Sequence, residues 1–337
     1  MAVETFKMGP FVVPRIWTGL WQLSGNAWGS APVPKIRQGM AKHVEAGYTA
    51  FADHYGSAEI LFGQFRESLP NPEAVVGATK WCVFRPIEPT VGVVKAAVGE
   101  RMQRMRTQRV DLLQFHWNDY EDKRYLTALE RLKDLQDEGI IASVGLCNFD
   151  SIRADEICTQ LGPDFIVTSQ VQFSLIDTRP LDGMVHVCEK HDVKLLTYGT
   201  LCGGFLADRW LGQSEPDPYG SALTPSQRKY LDMIVKAWGD WELFQTLLQT
   251  LRTIGNRHHG RSIANIATRW ILDHPFVGAV LVGVRLGLSE HADDNQRAFG
   301  FRLSKQDSQD IEDVLQRSNS RRMITTIGDC GAEYRQY

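Results

Sequence analysis

Long hydrophobic runs are missing from this chain. No stretch reaches the roughly 18 apolar residues that a membrane-spanning helix needs, so no membrane span is expected. Residues 1–12 carry an early Glu4 and no apolar run, so no secretory signal is read there. An excess of one charge is missing too. The 37 Lys and Arg stand against 40 Asp and Glu, a formal net charge of −3. Mixed signs give no reason to expect nucleic acid or an anionic membrane as a partner. Cysteine is sparse. Cys82, Cys147, Cys158, Cys188, Cys202 and Cys330 make no C-x-x-C pair and no zinc-like cluster with His. That argues against a disulfide framework and a metal centre, and suits reduced thiols in a cytoplasmic protein.

What is present is ordinary globular composition, 43% hydrophobic and 23% charged. A chain of 337 residues could hold two average domains, but α/β barrels use this length as one. Short β-like runs alternate with helix-like runs, the pattern of a parallel α/β sheet. Ile36, Met40 and Val44 keep helical spacing after Pro34. Thr90 reads as an N-cap ahead of the stripe Val91, Val94, Val98, Met102 and Met105. Leu126, Leu129, Leu132 and Leu135 form another stripe, ended by Gly139. Strands are expected at 140–145, 165–168, 193–198 and 279–282. From Gly203 to about Lys236 no single period holds, which predicts a long functional loop. Ser262, Ser289 and Ser304 read as helix starts, the last with Asp307 in a capping arrangement. Arg101, Arg104, Arg106 and Arg109 read as a solvated helix face, and 317–337 as a polar tail without a readable role.

Three strand-like runs end in residues that can move protons. Tyr48-Thr49-Ala50-Phe51 leads to Tyr55, Ala74 to Thr79 leads to Lys80, and Val110 to Phe115 leads to His116. Taken singly, each is more often a rim tyrosine, a solvated lysine or a satisfied core histidine. Together, at the ends of successive strands, they match how a (β/α)8 barrel builds a site.

At these residues the chain resembles the aldo-keto reductases, over roughly Val13 to Phe301. The motifs are Gly19-Leu20-Trp21-Gln22, Asp53-His54-Tyr55-Gly56-Ser57-Ala58-Glu59, Thr79-Lys80-Trp81, Asp111 to Trp117, Val144 to Phe149, Ser169-Gln170-Val171-Gln172 and Leu195 to Gly199. The resemblance implies one α/β domain over 1–337, a (β/α)8 TIM barrel at roughly 13–301. It also implies a long loop after the seventh strand, with a C-terminal helix and tail (302–337) over the mouth. One departure stands out. The family pattern runs Phe-Asp-x-Ala before its Asp-His-Tyr-Gly, whereas here Phe51 is followed directly by Ala52-Asp53-His54-Tyr55. By this resemblance two residues are absent, one of them the Asp that pairs with the Lys; counting back five from Tyr55 reaches Ala50, and anchoring on Phe51 puts Ala52 in its slot. Asp53 is the nearest carboxylate that could replace it.

By this resemblance Tyr55 is the general acid, assisted by Lys80 and His116. A free phenol has a pKa of about 10, too high for ready donation near neutrality. A neighbouring ammonium lowers that value, and His116 would donate a hydrogen bond to the carbonyl oxygen. The implied function is an NADP(H)-dependent carbonyl reductase or alcohol dehydrogenase acting on a small-molecule carbonyl or alcohol. Two alternatives stay open. A poorly paired Lys80 could serve a non-redox isomerase, dehydratase or cyclase using the same three residues. The chain could also be an NADPH-binding sensor subunit.

The resemblance assigns Asn148 and Gln170 to the nicotinamide carboxamide, Tyr198 to stacking beneath the ring, and Leu201, Gly203 and Gly204 to the pyrophosphate. These glycines do not spell a G-x-G-x-x-G fingerprint, so a Rossmann reading has little support. Gly283, Arg285, Ser289, His291 and Asn295 fall at the adenosine end. Arg285 favours NADP(H) over NAD(H), with NAD(H) and an Arg285–Glu290 surface pair as the alternatives. Trp21, Trp81, Trp117 and Phe205 are expected to wall the substrate pocket. Substrate identity, direction and oligomeric state are not readable.

Overall fold

Strand periodicity decides which side chains enter this molecule's interior. The structure, a computed structural model, describes residues 3–25, 29, 31–52, 56–220, 223–289 and 291–335. An antiparallel hairpin, β1 (Thr5–Met8) and β2 (Phe11–Pro14), turns at Gly9. Eight parallel strands then close into a barrel: β3 (Ile16–Gly19), β4 (Ala50–Ala52), β5 (Val76–Val83), β6 (Leu112–Trp117), β7 (Val144–Cys147), β8 (Ile166–Gln172), β9 (Lys194–Tyr198) and β10 (Val277–Gly283), with β10 pairing back to β3. The hairpin plugs the end where the strands begin. Met8 and Val13 share an interior cluster with Trp17, Val76, Leu112 and Leu196.

On β6, Leu112 faces that interior while Leu113, Phe115 and Trp117 pack in the outer core with Tyr125, Leu129 and Leu132. A two-residue period therefore turns Gln114 and His116 inward. On β5 the same logic turns Ala78, Lys80 and Cys82 inward and Trp81 and Val83 outward. On β7 it leaves Gly145 and Cys147 inside. All eight strands end on one face, which is where such barrels carry their chemistry.

The helices expected from stripes and caps form where the local chemistry supports them. α1 (Val33–Glu45) buries Ile36 and Met40, and α2 (Gly56–Glu67) follows β4. Thr90 caps α3 (Val91–Arg104), its hydroxyl accepting from Val93 N at 3.3 Å. α4 (Arg124–Asp137), α5 (Ser151–Leu161) and α6 (Met184–His191) complete the next crossovers. Between β9 and β10 run α7 (Pro225–Asp232), α8 (Trp241–Arg257) and α9 (Ile263–Leu272). Ser262 opens α9 through a full capping box with Asn265, and Ser304 opens α11 (Lys305–Leu315) through one with Asp307.

Several expectations are corrected. The strand at 140–145 begins later, at Val144, and Ile141 makes only an isolated bridge to Val110. The long connection after the seventh barrel strand is not structureless. Thr224 caps α7, and a π-helical turn, Met233–Trp238, follows. Ser289 does not start a helix; it bridges to Arg285, and α10 (Ala292–Gln296) begins after His291. The C-terminal helix α11 packs on α8 rather than over the mouth. The tail beyond it, with α12 (Met323–Ile327), does reach the mouth. Nor are all four arginines a solvated face. Arg101 is buried and donates to the Lys80 carbonyl at 2.6 Å, and Arg104 donates to buried Glu59 at 3.1 Å. No described helix is long and apolar enough to cross a membrane.

Candidate active site

Lys80 and His116 both point into the mouth from adjacent strands, β5 and β6. Asp53, His54 and Tyr55, which include the expected acid and the nearest carboxylate, lie outside the described residues. What is described is β4, where Ala50 and Ala52 face inward on either side of outward Phe51, and Ala52 lies level with Ala78, one inward step below Lys80. Counting back five residues from Tyr55 reaches Ala50, and the residue after Phe51 is Ala52, so both candidate slots for the family's Asp hold a methyl group. Among the described residues, no group of three His, Cys, Asp or Glu side chains is arranged to hold a metal.

His116 Nδ1 lies 3.0 Å from the Cys147 carbonyl oxygen. A carbonyl can only accept, so Nδ1 carries the proton and Nε2 of a neutral ring is an acceptor. The expected donation from His116 to a carbonyl oxygen through Nε2 therefore requires the imidazolium form. Beside it, the Cys147 thiol donates weakly to Gln170 Oε1 at 3.5 Å. Burial raises the Cys147 pKa, with the Lys80 charge acting in the opposite sense. Asn148 adopts a left-handed backbone, φ 59°, a conformation that asparagine tolerates better than most residues. Tyr198 donates to Asn148 Oδ1 at 2.9 Å, and burial keeps that phenol well above its usual pKa and so neutral. Asn148, Gln170 and Tyr198, separated in sequence, thus meet beside His116.

The loop beyond Tyr198 turns through a left-handed Gly203 and Gly204. A Cβ on Gly204 would lie 3.2 Å from Arg209 Nη2, so a guanidinium overhangs this glycine. The sequence reading missed Arg209, though a basic residue five positions past a glycine pair was a usable signal. At the far side, Arg285 is exposed and donates from Nε to Ser289 Oγ at 3.2 Å. Glu290 lies outside the described residues. Gln22 was also missed. Its amide passes over Gly283, where a Cβ would be 2.3 Å from Nε2, and its buried Oε1 makes no hydrogen bond. Gln22, Leu23, Arg285 and Leu288 line a small cavity of about 60 Å³. His291 is exposed, and Asn295 lies in α10.

The expected aromatic walls are partly corrected. Trp81 and Trp117 alternate with Lys80 and His116 and turn away from the lumen, both packing on Phe115 with ring centroids 5.3 and 5.9 Å away. Trp117 also borders a cavity of about 240 Å³ between the loops after β5 and β6. Phe205 is fully buried against Trp210 and Trp241 and anchors its loop. Trp21 is exposed near the mouth. Among the described residues, an aromatic ring that does stand at His116 is Phe84, 57% exposed with its centroid 5.7 Å from the imidazole. On the opposite rim, Lys229 donates to Gln172 Oε1 at 2.9 Å and to the tail's Tyr334 hydroxyl at 2.6 Å. Arg335 donates to the Asn148 carbonyl at 3.3 Å.

An eight-stranded parallel barrel with lysine, histidine and a carboxamide cluster at one mouth defines a class of catalyst, and the comparisons identify it. The sequence profile of the Aldo/keto reductase family matches residues 15–316. The chain belongs to the aldo/keto reductase family of oxidoreductases. It is 25% identical over 318 residues to the aldo-keto reductase YhdN of Bacillus subtilis (strain 168), covering 91% of each. The fold is similar to that of the glycerol dehydrogenase AKR11B4 from Gluconobacter oxydans, with a TM-score of 0.76 at 22% identity over 94% of this chain and 96% of that one. It also resembles an aldo/keto reductase from Klebsiella pneumoniae in complex with NADP and acetate, TM-score 0.69 at 18% identity over 93% and 96%.

Proposed function

We propose that this protein is an NADP(H)-dependent carbonyl reductase or alcohol dehydrogenase, working on small-molecule carbonyl or alcohol substrates as one cytoplasmic domain. The reading is carried by the juxtaposition of Lys80 and His116 with Asn148, Gln170 and Tyr198 at one barrel mouth. The residues fit a nicotinamide dinucleotide. Asn148 Oδ1 is taken by Tyr198, which leaves its NH2 group as a donor for a carboxamide oxygen. Gln170 presents a second amide, and the neutral ring of Tyr198 offers a stacking face. Gly203 and Gly204 bring backbone close to a phosphate, with Arg209 as a cation beside them. Arg285 and Ser289 form a polar pair suited to a 2′-phosphate. When bound, the cofactor supplies the hydride.

The chain's own residues handle the proton and the charge. Tyr55 is the acid that protonates the developing alkoxide. Lys80 lowers the cost of the phenolate. His116 in its imidazolium form donates to the carbonyl oxygen, and in its neutral form it accepts from an alcohol hydroxyl, so its protonation state favours one direction or the other. Phe84 covers one side of His116 and limits water there.

The test is NADPH oxidation against a panel of carbonyl compounds, with Tyr55→Phe as the control. The variant should lose about 10²–10⁴-fold in turnover while keeping NADPH affinity, because only the proton is removed. A variant that reduces carbonyls at near wild-type rate would remove Tyr55 from this role. Ala52 in the place of the pairing carboxylate supports a second reading, a non-redox isomerase, dehydratase or cyclase. That reading expects substrate conversion with no change in cofactor absorbance.

A further inference from the structure

Three polar atoms inside the barrel have no protein partner, and they fall in one layer. Gln114 is fully buried, and neither its Oε1 nor its Nε2 makes a hydrogen bond. Thr168 is fully buried, and its Oγ1 makes none either. Strand register sets Gln114, Gly145 and Thr168 side by side on β6, β7 and β8. Gly145 contributes no side chain. A Cβ there would meet Thr168 Oγ1 at 2.3 Å, so the hydroxyl lies across the glycine on the side of Gln114. Leaving a buried amide or hydroxyl unsatisfied is destabilising, because its bonds to water are lost and not replaced. Donors and acceptors converging in a closed interior are what a buried water requires, with two to four partners.

The layer sits directly under the reacting groups. Gln114 is the register partner of Lys80. Cys147 is the next inward residue above Gly145, and Gln170 the next above Thr168. As register partners, Lys80 and Gln114 both project into the lumen, so the Lys80 side chain starts beside this layer.

We propose that Gln114 and Thr168 hold ordered water that accepts a hydrogen bond from the Lys80 ammonium, making this pair a positioning site for Lys80. The inference rests on the reductase reading for the role of Lys80. The water would donate to Gln114 Oε1 and Thr168 Oγ1. Water of this kind would help fix the ammonium without cancelling its charge.

The experiment compares Thr168→Val and Gln114→Met, which remove hydrogen bonding at nearly constant volume, with Thr168→Ser, which keeps it. The Val and Met variants should lose about tenfold in kcat, the loss of roughly one hydrogen bond. KM for the carbonyl and Kd for NADPH should stay within about twofold, a split expected of an interaction that acts on the reacting groups. Thr168→Ser should restore kcat. The Lys80 ¹⁵Nζ resonance should show slow hydrogen exchange in the wild type and fast exchange in Thr168→Val. Unchanged kcat and an unchanged Lys80 resonance in both variants would overturn the proposal. So would a high-resolution crystal structure of the wild type without ordered water between Gln114 and Thr168. That map and the wild-type resonance decide the matter if the variants fail to fold. If wild-type protein reduces no carbonyl but carries the water and the protected ammonium, the site stands and the reductase reading falls.

Discussion

Arg285 is the residue on which the proposed cofactor choice turns. Its side chain is exposed, held loosely by Ser289, and borders the small cavity with Gln22 and Leu288. Replacing Arg285 by Ala should weaken NADPH by roughly 1.5–3 kcal/mol, a charge-assisted contact, and leave NADH nearly unchanged, because only NADPH carries the 2′-phosphate. Equal weakening of both in a binding titration would remove the assignment. Arg285 stood out in the sequence because it lies just two residues past the last strand. Trp81 and Trp117 were less so. Each neighbours a mouth residue in sequence, but strand alternation sends consecutive side chains to opposite faces, and a residue type alone does not reveal the phase. Phe84 escaped notice for the converse reason. It lies just past β5, where no period applies.

At the scale of elements, β4 (Ala50–Ala52) carries the departure from the family pattern that the resemblance implies. Phe51 faces the outer core and Ala52 faces inward, and inserting two residues between them keeps that alternation in phase. Inserting Asp and one small residue between Phe51 and Ala52 should therefore seat a carboxylate in the inward slot without disturbing the barrel. It should raise NADPH-dependent reduction of simple aldehydes by supplying an anion near Lys80. A folded, NADPH-binding insertion variant with no gain on any aldehyde would show that the slot does not limit turnover. Helix α11 offers a second test. Although burial alone would raise its pKa, Asp307 is held well below the usual carboxylate range by hydrogen bonds from His258, Ser304 and Arg257. A depressed carboxylate stabilises the fold fully above its unfolded pKa of about 3.9 and loses that contribution as pH falls toward the folded value. Asp307→Ala should cost about 1–3 kcal/mol at neutral pH. The gap from wild type in urea denaturation should narrow below about pH 4. A gap that stays constant down to acid pH would mean the carboxylate charge is not what matters.

For the whole molecule, the barrel was legible because burial demands a period, and the helix stripes and most strand runs obeyed one, while the 140–145 run and the Ser289 start did not form as read. The tail was not, because its role depends on groups far away in sequence that no local pattern encodes. Arg179, fully buried, donates to Asp177 at 2.8 Å and to Glu333 at 3.0 Å, and to the carbonyls of Gly328 and Asp329. Asp329 accepts from Ser151 N and Oγ at the start of α5. Arg335 donates to the Tyr120 hydroxyl, and its guanidinium lies 4.1 Å from that ring. The last turn of chain is thus tied to the loops after β6, β7 and β8 at once. Removing residues 329–337 should lower the urea midpoint by several such contacts, each worth about 1–3 kcal/mol when charged. The barrel should still fold, because Arg179 keeps its buried partner Asp177. The same truncation takes Tyr334 from Lys229 and Arg335 from Asn148, so NADPH affinity should change together with stability. Tyr334→Phe separates the two effects. It removes only the hydroxyl, and should alter NADPH affinity while moving the urea midpoint by less than the truncation does. If Tyr334→Phe binds NADPH as the wild type does and the truncated chain also keeps its affinity, the tail is a structural tie alone and the mouth works without it.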